Sequence, residues 1–296
     1  MISLLTVEIK ALYPAHEVIR NYVAYYYLFN PDKYCLNEFY LAYPHINTPL
    51  FFYSKTSIRA SGRHIRYTDT TDSEIQVGII GRSLQPYHCT VDGCFSNVTI
   101  VFKPLGISQF VNVPFGTMAK RPFQRFFGWE QFSGLLQNLL GEQDDELLVS
   151  KLDQFLLSRY SPVQEPLVER AVALLTAEEA SHDVGELEHL LGCNRKTLFR
   201  LFQKHLGCSP TGFKRIARFR NALEKLQDRS LTLTQAAYEA HFYDQAHFSK
   251  EVKKLTGDAP QHLLSKAAYA SNSPFFIHVK KGSHVPDVQG QTCNNA

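Results

Sequence analysis

The stretch that decides the fold runs from Asp183 to Gly207 and reads DVGELEHLLGCNRKTLFRLFQKHLG. Asp183 can cap a helix whose first turn holds Glu186, an acid on the favourable side of the helix dipole. Leu187, Leu190 and Leu191 give that helix an apolar face, and Gly192 supplies the left-handed stop a tight turn needs. Asn194 is placed to cap a second helix running to His205. There Leu198, Leu201 or Phe202, and Leu206 form the apolar stripe, while Arg195, Lys196, Arg200 and Lys204 lie largely off it. A short helix, a glycine turn and a cationic amphipathic helix make the unit whose second helix enters the major groove of DNA. Phe199 falls on the flank of Lys196 and Arg200, a position that suits either contact with a thymine methyl or packing at the rim of the core.

A second unit follows. Thr232 and Gln235 have capping-box spacing, and Leu233, Ala236, Ala237 and Ala240 make a face of small residues. His241 stands where the turn calls for glycine, and Phe242 packs that turn. Asp244 caps a helix with Phe248, Val252 and Leu255 inward. Gln245, Ala246, His247, Ser249 and Lys250 occupy its exposed N-terminal face, and Gln and Lys suit base edges and phosphates. Between the units Ser209-Pro210 opens a helix expected from about Thr211 to Asp228. At about 1.5 Å per residue it spans about 27 Å, a rigid spacer able to set two reading helices roughly one DNA turn, about 34 Å, apart.

Composition agrees without deciding. A chain of 296 residues with 44% hydrophobic content has room for two domains with real cores. Net charge is only +3, and acids balance bases in both halves, which excludes a bulk polycation. The local pattern says more: Cys193–Arg220 holds eight Lys or Arg and no acid, either a phosphate-binding footprint or a solvated helix face. The six cysteines (Cys35, Cys89, Cys94, Cys193, Cys208, Cys293) form no C-x-x-C pair and suit free thiols in a reducing cytosol. Met1–Ala15, with Glu8 and Lys10, has no secretory pattern, and no apolar run is long enough to span a membrane, so a cytoplasmic location is expected.

Upstream, short aromatic and β-branched runs end at turn residues: Tyr22–Phe29, Glu38–Tyr43, Pro49–Tyr53, Ile75–Ile80 and Asn97–Phe102. They predict a sandwich or barrel. The period then becomes helical over Trp129–Leu140 and Glu146–Tyr160, two helices that either pack on the β domain or form a dimer face. Ser161-Pro162 marks a boundary. The fold expected is therefore α+β. Residues 1–162 form a β-rich, cupin-like or jelly-roll domain with a helical appendage at about 129–160. Residues 163–269 form an all-α domain of two helix-turn-helix units joined by a linker helix. Residues 270–296, rich in Ser, Asn, Gly and Gln, form a flexible tail in which Phe275-Phe276-Ile277 could dock.

The helical half resembles the DNA-binding domain of AraC/XylS-family regulators. The matching residues are Leu187, Leu198, Arg200, Phe202, Gly207, Ser209, Pro210, Phe213, Arg218 and Ala222, then Ala237, Phe242, Asp244, Gln245, His247, Phe248, Lys253, Gly257 and Pro260. The resemblance implies a sequence-specific DNA-binding transcription regulator, activator or repressor, with one recognition helix from each unit in successive major grooves. Carried over by position, the DNA-facing residues are Arg195, Lys196, Thr197, Phe199 and Arg200 in the first unit, and Gln245, Ala246, His247, Ser249 and Lys250 in the second. Arg218 falls at a structural position that ties the linker helix to a neighbour. His241 for Gly, Val252 for a bulkier Phe and Asp258-Ala259 before Pro260 depart from the pattern, which suits the second unit to positioning more than reading. The implied partners are double-stranded DNA, RNA polymerase, a small-molecule effector and a second copy of the chain.

Val101-Phe-Lys-Pro-Leu-Gly106 with Ile107–Phe110 is similar to a segment in N-terminal domains of regulators from the Bacteroidetes lineage. Aromatics at Tyr25, Tyr27, Phe39, Tyr43, Phe51 and Tyr53 could line a ligand pocket or simply fill the barrel, and Arg82 or Lys103 could hold an acidic ligand. His45, His64 and His88 are scattered, and no Gly-x-Ser-x-Gly or phosphate-cradling loop is present. No metal, no cofactor and no enzymatic activity are therefore expected. The alternative is a β-barrel enzyme or ligand-binding protein whose helical half mediates protein contacts.

Overall fold

The aromatic and β-branched runs of the first half fold as strands because alternate side chains can be buried on the two faces of a sheet. In chain order the elements are β1 (Lys10–Leu12), α1 (Glu17–Tyr22), β2 (Val23–Phe29), β3 (Leu36–Ala42), β4 (Thr48–Ser54), β5 (Thr56–Ser61), β6 (His64–Asp69) and β7 (Gln76–Ile80). They continue with β8 (Tyr87–Gly93), β9 (Ser96–Phe102), α2 (Phe115–Met118), β10 (Phe123–Arg125), α3 (Ser133–Leu140) and α4 (Asp145–Arg159). This computed structural model describes residues 10–29, 36–93, 96–111, 113–118, 121–177, 182–225, 231–267 and 277–280.

A six-stranded sheet runs β1-β2-β9-β4-β7-β10 and faces a second sheet containing β3-β8-β6-β5. From β2 to β9 the chain alternates between the sheets in jelly-roll fashion, with only the hairpin β5–β6 staying within one. That hairpin attaches through its second strand, so β6 pairs with β8 in parallel. The sequence signals missed β5, β6 and β8, whose runs are interrupted by Arg, His and Asp. The expected strand at Tyr22 begins one residue later, because Tyr22 ends α1.

The helices α3 and α4 pack on the six-stranded sheet, which selects the first of the two readings of that pair. Leu136, Leu139, Leu152, Phe155 and Leu156 share a core with Tyr26, Leu50, Phe52, Val98 and Ile100. Trp129 meets Phe155 edge-on at 4.9 Å. Asp153 of α4 is buried but fully engaged: its carboxylate accepts from the Tyr26 hydroxyl at 2.6 Å and from the amides of Ala15 and His16 at 2.8 and 2.7 Å. The similarity segment at 101–110 has a steric reason for its glycine. A Cβ on Gly106 would lie 2.1 Å from the Tyr22 carbonyl oxygen.

The second half is helical: α5 (Pro166–Thr176), α6 (Val184–Leu191), α7 (Arg195–Leu206), α8 (Pro210–Lys225), α9 (Leu233–Glu239), α10 (Gln245–Thr256) and α11 (Pro260–Ala267). The expected linker helix is observed to Lys225, and its last expected turn lies outside the described residues. The boundary at Ser161-Pro162 is pinned, with the Gln109 side chain bonding both the amide and the carbonyl of Val163 at 2.9 Å. Within the tail, the described residues begin at Ile277, the end of the segment expected to be able to dock. Ile277–Lys280 form β11, antiparallel to β3 at the edge of the second sheet, because a sheet edge offers unpaired backbone groups to any extended segment within reach. Phe275 and Phe276 lie outside the described residues.

Candidate nucleic-acid interface

Each helix-turn-helix unit is built by caps. In the first, Asp183 and Glu186 form a capping box at the start of α6, Gly192 ends it at φ 61°, and the Asn194 carboxamide accepts from the Thr197 amide at 2.9 Å to start α7. In the second, Thr232 and Gln235 form the box and the Asp244 carboxylate accepts from the His247 amide at 2.6 Å. His241 does adopt the left-handed conformation, φ 60°, where glycine would be free of strain.

These caps aim two helix N-termini outward. On α7, Arg195, Lys196, Phe199 and Arg200 are exposed and Thr197 half-exposed, while Leu198, Phe202 and Leu206 are buried with Leu187 and Phe213. On α10, Gln245, Ala246, His247 and Lys250 are exposed and Ser249 half-exposed, over buried Phe248, Val252 and Leu255. All ten predicted residues thus line two outward-facing helix starts. Phe199 is about half exposed, at 49%, so the rim-core reading accounts for only part of its ring. Gln245 also accepts from the Thr234 hydroxyl at 2.9 Å, which orients its amide from the neighbouring α9.

The basic run 193–220 divides into two groups. Arg195, Lys196, Arg200 and Lys204 are exposed, whereas the cations of α8 turn inward. Lys214 reaches Asp183 at 2.8 Å, and Arg215 reaches Glu251 at 2.8 Å. Arg218 donates to the His241 carbonyl and stacks over Phe242, its guanidinium 4.4 Å from the ring centroid. Its burial lowers the guanidinium pKa. Thus α8 fixes α6 with one cation and the second unit with two others, as expected for Arg218 and not read for the rest.

Both units dock on the N-terminal domain. Gly116 of α2 lies so close to α7 that a Cβ there would stand 1.8 Å from the Gln203 carbonyl oxygen. Arg82 donates to the Leu206 carbonyl, at the C-terminal end of α7, and to the carbonyls of Ile46 and His45 in its own domain. On the other unit, Arg220 of α8 donates to the carbonyls of Pro44 at 2.7 Å and Tyr43 at 3.0 Å, and burial brings its pKa down to about 10. Leu41 and Tyr43 belong to the same apolar cluster as Phe219, Phe242 and Phe248.

A cavity of about 140 Å³ opens between the two sheets at this seam. Of the aromatics read as lining, Tyr27, Tyr43 and Phe51 do so, and Tyr25, Phe39 and Tyr53 do not. Of the two candidate cations only Arg82 lies there; Lys103 is exposed and donates to the Arg20 carbonyl at 2.7 Å. Cys89 also lines the cavity, its thiol pushed up to about 12 by burial. His64 and His88, distant in sequence, stack at 4.9 Å across the β6–β8 pair. Among the described residues no group of three or more His, Cys, Asp or Glu is placed to hold a metal ion, and no helix is long and apolar enough to cross a membrane.

Residues 187–266 match a family described as a helix-turn-helix domain. The chain is 33% identical over 98 residues to the HTH-type transcriptional regulator GbdR of Pseudomonas aeruginosa, covering 33% of this chain and 27% of that one. It is 34% identical over 92 residues to the HTH-type transcriptional regulator GlxA of Rhizobium meliloti, 31% of this chain and 28% of that one. The chain thus spans about a quarter of the length of these curated relatives. Among solved structures, apo ToxT from Vibrio cholerae aligns over 81% of this chain and 97% of that one, with 12% identity and a TM-score of 0.48.

Proposed function

We propose that this chain, whose residues 187–266 form an AraC-type helix-turn-helix domain, is a sequence-specific transcription regulator that reads a bipartite DNA site. The observation that carries the reading is the pair of capped recognition helices, α7 and α10, with outward polar N-terminal faces and a shared rigid support in α8. Backbone and side-chain donors at helix starts hold phosphates, and the side chains beyond them read base edges. Arg195, Lys196, Thr197, Phe199 and Arg200 are assigned to one half-site, and Gln245, Ala246, His247, Ser249 and Lys250 to the other. The cavity at the domain seam is assigned to a small-molecule effector, RNA polymerase and a second copy of the chain are the protein partners, and the site of action is the cytoplasm.

Selection from random duplex DNA with the full chain tests this. The expected outcome is a bipartite site with half-sites about one turn apart, bound more weakly at higher salt. Absence of any enriched sequence would sink the reading. A β-barrel enzyme with a protein-binding helical half is not favoured, because the helical half is accounted for by the two DNA-reading units.

A further inference from the structure

A second cavity, a groove of about 180 Å³, lies between α8 and α10, lined by Arg215 and Arg218 of α8, Phe242 of the turn, and His247 and Glu251 of α10. It offers more donors than acceptors. The Glu251 carboxylate is engaged at both oxygens, by the Arg215 Nε at 2.8 Å and by Lys254 at 3.0 Å. Arg218 gives one terminal nitrogen to the His241 carbonyl, and its Nε is buried with no hydrogen-bond partner among the described residues. The terminal nitrogens of Arg215 and the ring nitrogens of His247 also make no hydrogen bond among the described residues. The Phe242 ring packs against both neighbours, 4.4 Å from the Arg218 guanidinium and 5.6 Å from the His247 ring. Three side chains with unused donors, two of them permanently charged, thus line one space larger than a single water, about 30 Å³, fills. That set calls for an anion with several acceptor oxygens, and guanidinium forks match phosphate in this way. His247 also stands exposed on the first turn of α10, so an anion held in the groove lies beside the surface assigned to the second half-site.

We propose that this groove clamps one phosphate of the DNA backbone between the terminal nitrogens of Arg215, the Arg218 Nε and the His247 ring N–H. The inference rests on the regulator reading and adds to it a contact made by the linker helix α8, which carries no residue of either half-site. A backbone contact of this kind fixes register and orientation and carries no sequence information, so the clamp sets how α10 lies on the duplex. Glu251 is the internal competitor. It holds the Arg215 guanidinium through Nε while DNA is absent, which orients the terminal nitrogens before the phosphate arrives, and its negative charge opposes the phosphate once it is there.

The test uses the full chain and the duplex it selects, with the phosphates replaced one at a time by uncharged methylphosphonate. Arg215→Gln is expected to weaken binding about tenfold, as loss of one charge-assisted contact implies, equally across sequences and with a salt slope smaller by about one. One methylphosphonate position costs the wild-type chain a similar factor and costs Arg215→Gln nothing further. Glu251→Gln, which removes the competing charge, tightens binding and enlarges the penalty at that same position. A merely structural role for Arg215 leaves every methylphosphonate penalty the same in variant and wild type, and that result overturns the clamp. In a second arm, inorganic phosphate is added to the chain without DNA and the His247 ring signals are followed by NMR. Phosphate-shifted His247 signals together with equal methylphosphonate penalties assign the groove to a free anion and overturn the DNA contact. A chain that selects a DNA site yet shows equal penalties overturns this inference alone; one that selects no DNA overturns the regulator reading and the clamp with it.

Discussion

Arg200 stands exposed on α7, whereas Arg218 lies folded over the Phe242 ring with its guanidinium on the His241 carbonyl. The two therefore separate in experiment. Arg200→Ala should weaken DNA binding by about 1–3 kcal/mol and reduce the salt slope by about one, with little change in unfolding temperature. Arg218→Ala should lower the unfolding temperature first, since it removes the bond that fixes the second turn. Equal effects of both on thermal stability would refute the division of the basic run. His241 offers the opposite case. At φ 60° it carries left-handed strain worth about 1 kcal/mol, so His241→Gly should raise unfolding stability by no more than that, measured by denaturant titration. Both residues were marked by the sequence, His241 as a departure at a glycine position and Arg218 as a matched structural one. The inward turn of Lys214 and Arg215 was not, because charge alone does not say which face of α8 is covered.

At the scale of elements, capped helices were the most legible. The Asp183, Asn194, Thr232 and Asp244 caps all form where the sequence places them, since a cap depends on residues within one turn. Strands β5, β6 and β8 were not singled out because polar or charged residues leave them no continuous apolar run, although β6 and β8 alternate strictly, with Ile65 and Tyr67, and Tyr87, Cys89 and Val91, turned inward. The short helix α2 left no periodic signal at all, yet its Gly116 sets the distance to α7. Gly116→Ala must push α2 off α7 or distort it, because its Cβ would meet the Gln203 carbonyl oxygen at 1.8 Å. Small-angle scattering should then report a more extended molecule, with unchanged helix content by circular dichroism. An unaltered scattering profile would show that the two elements do not bear on each other in solution.

For the whole molecule, the seam between domains controls acid sensitivity. His45 sits there with its Nδ1 accepting from the Asn47 amide at 2.8 Å. Burial, with the nearby Arg220 and Arg82 charges, holds its pKa well below the ordinary 6.5. Burial also lowers His205, against the pull of Glu165 at 3.0 Å. Below about pH 6.5 the unfolded chain takes up protons that the fold refuses, so stability should fall as pH drops through that value and stay level above it. Thermal unfolding of the wild-type chain and His45→Asn from pH 8 to 5.5 checks this, with a shallower acid loss expected in the variant. By itself the sequence determined the two helix-turn-helix units, their caps and the ten outward residues, because short-range periodicity and capping carry that information. Only the tertiary structure decided that Arg82 and Arg220 hold both units against the barrel, that half the basic run is internal, and that the cavity opens at the seam. Those facts arise from groups far apart in the chain, such as Arg82 and Leu206, whose meeting is set by packing and leaves no local pattern.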